Sequence, residues 1–187
     1  MNDLLEEIFK TKKFRNSRNE VVDVHSETSK AQCEFLQRLV RENNFVNTLE
    51  IGFAFGMSTL AIVEEVAKRK GHHTVIDKYE IISWGSNGLD LVRQAGYEKD
   101  ITFIEEFCYA ALPKLIEAGK RFDFAYIDTT KLLDWILLSD QLVQLKPALA
   151  VEVDIHRDVD MRPGRAVAGA GDRAVDIGDR IDRQFDR

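Results

Sequence analysis

Cysteine and proline are scarce: the 187-residue chain holds two of the first and three of the second. Cys33 and Cys108 stand far apart and in no metal-like spacing, so neither a disulfide framework nor a cysteine metal site has the material to form, and both read as buried thiols. No apolar run approaches the roughly 20 residues of a membrane-spanning helix, so no membrane partner is expected. A basic stripe is also missing, and the net charge is −6, which argues against a nucleic-acid partner. The opening MNDLLEEIFKTKKF mixes acids and lysines into its apolar residues and has no signal-peptide core, so a cytoplasmic location is expected. A further absence concerns glycine. After Gly56 the next glycine is Gly71, which leaves the dinucleotide pattern G-x-G-x-x-G incomplete.

What is present is a soluble composition, 44% hydrophobic and 31% charged, at a length sufficient for one domain with a real core. The chain is organised around residues 48–60, TLEIGFAFGMSTL. A short apolar run carrying Glu50 ends in Gly52-Phe53-Ala54-Phe55-Gly56, and Ser58-Thr59-Leu60 opens a helical pattern. Strand, glycine turn and helix form the unit that holds a nucleotide-like ligand at the end of a parallel strand. Glycines let the backbone approach the ligand, and the helix start offers free N–H groups.

Around this unit strands and helices alternate. Residues 1–20 read as a short amphipathic helix followed by a polar connector over 12–20. Residues 26–43 read as a helix, with Ser29 and Gln32 as a capping box and Asn43-Asn44 as its stop. Strands are expected at 47–51, 73–77, 101–104, 122–127 and 148–153, and helices at 58–70, 87–95, 109–118 and 131–145. Gly71, Gly96 and Gly119 mark helix ends, and His72-His73 reads as an exposed turn. This alternation implies an α/β fold, a Rossmann-like doubly wound parallel sheet with helices on both faces.

The pattern Glu50-x-Gly52-x-Ala54-x-Gly56 resembles motif I of the class I S-adenosylmethionine-dependent methyltransferases, E/D-x-G-x-G-x-G, with Ala54 in place of the middle glycine. The Ser-Thr-Leu that follows is similar to the small-molecule, catechol O-methyltransferase-like branch. Asp77 at the end of the second strand, FDFAYID ending in Asp128, and Leu145-Lys146-Pro147 before the fifth strand extend the likeness over about residues 26–153. Residues 1–25 form an N-terminal extension. The resemblance implies methyl transfer from S-adenosylmethionine to a hydroxyl of a small molecule. It implies that Glu50, Gly52, Phe53, Ala54, Gly56 and Ser58 lie around the methionine part, that Asp77 accepts from the ribose hydroxyls, and that Glu106 and Phe107 flank the adenine. Asp128 is the catalytic candidate. In relatives the matching acid holds a divalent metal such as magnesium; here the metal ligands are left unknown. Lys131 stands where relatives carry a histidine and is the second catalytic candidate, weighed against a solvated surface lysine. Trp84 reads as packing before substrate wall. A homodimer is compatible with the likeness. Two other functions stay open: a binding-only relative with an incomplete acceptor site, and an NAD- or nucleotide-binding α/β protein.

Residues 154–187 break the pattern. Before them the chain uses twelve lysines and seven arginines; within them there is no lysine and no glutamate. The change suggests a replaced or foreign C-terminus, against which Ile177, Ile181 and Phe185 offer a helical stripe. No credible sixth or seventh strand is legible there, so strand five is expected to be an exposed edge.

Overall fold

The computed structural model describes residues 1–25, 28–128, 149–152 and 166–168. Helix α1 (Asp3–Thr11) starts where the Asn2 side chain accepts the Leu4 N–H, and its buried face carries Leu5 and Ile8. The next segment corrects the expected polar connector. Strands β1 (Lys13–Arg15) and β2 (Val21–Asp23) pair antiparallel as a hairpin. Strands this short do not display a readable alternation; Phe14 is the side chain that the hairpin buries. Phe14, Leu5, Ile8 and Val24 join Cys33, Leu60 and Leu91 in one cluster. The first 25 residues therefore contribute to the core.

Helix α2 (Lys30–Asn43) begins at the expected capping box. Ser29 accepts from the Gln32 N–H, and the Gln32 side chain accepts from the Ser29 N–H. The central sheet follows: β3 (Asn47–Ile51), α3 (Met57–Ala67), β4 (His72–Ile76), α4 (Asn87–Gln94), β5 (Ile101–Ile104), α5 (Cys108–Glu117), β6 (Phe124–Ile127), β7 (Leu149–Glu152) and β8 (Ala166–Ala168). The strand order is β5-β4-β3-β6-β7-β8. All pairs are parallel except β7 with β8. The expected exposed edge at the fifth strand of the sheet is thus corrected: β7 is flanked on its far side by Ala166–Ala168. Three small residues within the tail carry too little pattern to be read as a strand. The expected helix over 131–145, the turn at Leu145-Lys146-Pro147 and the stripe at Ile177, Ile181 and Phe185 lie outside the described residues.

Alternate residues of the strands divide the core between two faces. Leu49, Ile51, Ile76 and Ala125 pack under Cys108, Ala111 and Leu112 of α5. Phe124 and Tyr126 pack under Leu36 and Val40 of α2 and Ile62 and Val66 of α3. Gly96 and Gly119 take positive φ just past α4 and α5, as expected of helix-ending glycines. After α3 the left-handed residue is Lys70, φ 56°, and not Gly71. Gly71 is demanded by crowding, since a Cβ there would stand 2.2 Å from the Val46 carbonyl oxygen.

Candidate active site

Chain order reverses at β3, with β4 and β5 on one side and β6 and β7 on the other. Ligands bind at such a switch point, outside the carboxyl ends of the strands. Three residues leave those ends in register: Gly52 N–H donates to Ile76 O, Asp77 N–H to Ile104 O, and Asp128 N–H to Ile51 O. Between them opens a cleft of about 640 Å³, its mouth included, whose walls carry Gly52, Phe53, Ala54, Asp77, Trp84, Glu106, Phe107 and Asp128. Seven of the residues expected from the sequence to serve the site therefore meet in one place.

Asp77 is the hub of its floor. Oδ2 accepts the Phe53 N–H at 2.7 Å and the Ala54 N–H at 3.3 Å, and Oδ1 accepts the Tyr79 N–H at 2.7 Å. The carboxylate thus pins the glycine loop to the end of β4. Each oxygen has two lone pairs, so Oδ1 has acceptor capacity to spare. Ala54 sits at φ 48°, a left-handed conformation that costs a residue with a Cβ about 1–2 kcal/mol. Gly56 is left-handed too, and a Cβ there would stand 2.8 Å from the Phe53 ring.

Glu50, Gly56 and Ser58 do not line the cleft. Glu50 is fully buried behind the loop, where Oε1 accepts from the Ser58 hydroxyl at 2.5 Å and Oε2 from the Thr59 hydroxyl at 2.6 Å. His73 also reaches it, with Nε2 2.9 Å from Oε2 and Nδ1 2.7 Å from the Thr48 hydroxyl. His73 is fully buried, which corrects the reading of His72-His73 as an exposed turn. His73 stands inside β4 beside Thr48 of β3, on the face of the sheet that also carries Glu50, and this directs it inward. Lys131 lies outside the described residues.

The cleft has one aromatic wall. Tyr79 meets Phe107 edge-on at 5.8 Å, and Phe107 stacks on Tyr109 at 5.2 Å. Trp84 both lines the cleft and packs against Phe55 at 5.2 Å. Glu106 is paired with Lys114 at 2.6 Å. Lys78 and Tyr79 also line the cleft without having been singled out, and adjacency to Asp77 was the available signal; Cys108, read as a buried thiol, lines it too. Burial pushes the Cys108 thiol up from its ordinary value. At the opposite wall the Tyr126 hydroxyl donates to Asp128 Oδ2 at 3.2 Å. Burial first, then the Asp128 carboxylate, hold that phenol far above its ordinary value, so it stays a donor. Among the described residues no group of three or more His, Cys, Asp or Glu converges as a metal site. The described donors therefore do not by themselves fit a divalent ion.

The family described as O-methyltransferase matches residues 3–146. Tapetum-specific methyltransferase 1 of Arabidopsis thaliana is 32% identical over 113 residues, which are 59% of this chain and 46% of that protein. Caffeoyl-CoA O-methyltransferase 2 of Populus trichocarpa is 33% identical over 110 residues, 56% of this chain and 42% of its own length. The chain thus spans less than half the length of these curated relatives. Among solved structures, the O-methyltransferase of Bacillus cereus in complex with S-adenosylhomocysteine superposes with a TM-score of 0.62 at 22% identity, covering 81% of this chain and 66% of that one. The O-methyltransferase TomG of Streptomyces achromogenes, in complex with S-adenosylmethionine, gives 0.64 at 19% identity, covering 81% and 65%. At such identities the superpositions establish a shared fold.

Proposed function

The chain belongs to the O-methyltransferase family, and from that premise we propose that it transfers a methyl group from S-adenosylmethionine to a hydroxyl of a small molecule. The observation that carries the proposal is the convergence of the glycine loop, Asp77 and Asp128 on one cleft at the switch point of the sheet. The bound cofactor supplies an electrophilic methyl group on a sulfonium. The protein's share is to align donor and acceptor, exclude water and take up the acceptor's proton. Gly52 and Ala54 present backbone to the methionine part. Asp77 faces the ribose hydroxyls and accepts there with the Oδ1 lone pair that the Tyr79 N–H leaves over. Tyr79 and Phe107 flank the adenine, with Glu106 near its edge. Asp128, oriented by Tyr126, faces the acceptor hydroxyl and receives its proton. Glu50 and Ser58 act through the loop, because their polar atoms are engaged with each other behind it.

Residues 26–153 form the cofactor domain in this reading, and residues 154–187 are a replaced C-terminus. Lys131 is a second base only if it is desolvated beside Asp128. Two free, buried cysteines suit the cytoplasm. Calorimetric titration with S-adenosylhomocysteine tests the cofactor site: micromolar binding is expected, lost in Asp77→Ala. No binding by the folded chain would overturn it. A screen of hydroxylated acceptors with methyl-labelled cofactor, with and without magnesium, then tests transfer.

A further inference from the structure

Building on that reading of the cleft, we propose that Glu80 is a positioning residue for the cofactor loop: its neutral carboxyl locks α4 against residues 54–56, so that cofactor affinity falls in alkaline solution. Glu80 lies three residues past Asp77, on the segment that also carries Tyr79 and Trp84 into the cleft wall. Its side chain is fully buried. Oε1 accepts the Leu89 N–H at 3.1 Å in the first turn of α4. The residue before that helix, Ser86, takes a left-handed conformation and makes no side-chain cap. Glu80 supplies the missing cap from outside the helix. The same spot touches the cofactor loop. A Cβ on Gly88 would stand 2.7 Å from the Ala54 carbonyl oxygen, 3.1 Å from Gly56 N and 3.1 Å from Glu80 Oε1. Carboxyl, helix start and glycine loop are therefore in mutual contact, and a change at one is felt at the others.

Glu80 Oε2 is the one buried side-chain oxygen or nitrogen without a hydrogen-bond partner among the described residues. An ionised carboxylate would leave an uncompensated charge there, which the interior tolerates poorly. The charged groups facing it are Asp77 at the end of β4 and Asp90 on α4. Asp90 is itself held by Arg93 at 2.9 Å and by the Ser17 hydroxyl at 2.7 Å. The loop over 52–56 carries no titratable side chain. Burial pushes the Glu80 carboxyl up to about 8, the two aspartates act in the same direction, and the amides of Leu89 and Gly88 oppose them. Below that value the group is neutral and packed. Above it, water must reach Oε2. The first turn of α4 then separates from Ala54 and Gly56, and Tyr79 and Trp84 loosen with it.

The test is titration of the full chain and of Glu80→Gln with S-adenosylhomocysteine at pH 7 and pH 9, with amide exchange at Gly88 and Leu89 followed over the same range. Glutamine is the uncharged isostere. The wild-type protein is expected to lose about tenfold in affinity across this range, as a site that binds only when protonated must. Glu80→Gln is expected to stay within about twofold of its own pH 7 value. The Gly88 and Leu89 amides should exchange faster at pH 9 in the wild type than in the variant. Equal pH dependence in both proteins would overturn the proposal. Absence of binding by the wild type at pH 7 would fail the cofactor reading instead, and amide exchange would still decide the role of Glu80. Should the variant not fold, carbon NMR of the Glu80 carboxyl in the wild type decides: a midpoint near 8 supports the lock, and one near 4.5 removes it.

Discussion

His73 Nε2 lies 2.9 Å from Glu50 Oε2, with both side chains fully buried between the sheet and α3. The pair links two neighbouring parallel strands, in which Glu50 stands beside Val75 and Thr48 beside His73. The Ser58 and Thr59 hydroxyls tie it to the first turn of α3. The acid of motif I thereby becomes the anchor that fixes where the glycine loop ends and the helix begins. Breaking a buried hydrogen-bonded network around a carboxyl leaves partners unsatisfied. Glu50→Ala should cost about 3–5 kcal/mol of folding stability, and His73→Ala about 2–4 kcal/mol, measured by urea unfolding. A loss under about 0.5 kcal/mol for either would mean that the network is not formed.

Ala54→Gly tests the strained position in the loop. Relief of the left-handed conformation at φ 48° outweighs the extra unfolded-state entropy of glycine, so stability should rise by about 0.5–1 kcal/mol. Thermal unfolding reports this. Affinity for S-adenosylhomocysteine should rise with it, because a glycine lets the ligand approach the backbone more closely. A fall in melting temperature would contradict the strain argument.

Phe14→Ala tests whether the N-terminal hairpin belongs to the core. Phe14 packs with Leu5, Ile8, Leu60 and Leu91, and removing a buried ring of this kind costs about 3–5 kcal/mol. A frayed extension would show almost no change in a denaturant titration.

The two thiols give a reading of the native state without mutation. Burial pushes Cys33 up to about 12, and the Glu50 and Glu34 carboxylates add to this. Cys108 is raised by burial as well. Both are buried and so should be unreactive toward a disulfide reagent at pH 8, with two equivalents released in denaturant. Rapid modification in the native protein would show that α2 or α5 opens.

The order of strands and helices from α2 through β6 was legible because each element states its own period and its own stop. Residues 47–51 and 101–104 were read with the bounds that the structure has. The capping box at Ser29 and the glycines after α4 and α5 are local signals, complete within a few residues. The hairpin at Lys13–Arg15 and Val21–Asp23 was not legible, since each strand has three residues and one face. The pairing of Ala166–Ala168 with β7 was hidden for the same reason.

For the site, the sequence by itself determined which groups were available: the glycine loop, Asp77 after β4, Glu106-Phe107 after β5 and Asp128 after β6. All of these lie at strand ends, and parallel strands bring their carboxyl ends to one side. Only the tertiary structure decided how these groups are divided. Asp77 and Asp128 face the cleft, while Glu50 turns away to His73 and Ser58. Glu80 lies sealed against Leu89 and Gly88, although its sequence neighbours Asp77 and Tyr79 are at the cleft. Whether a carboxyl is solvated, paired or left neutral depends on what distant segments place around it, and that is settled by packing.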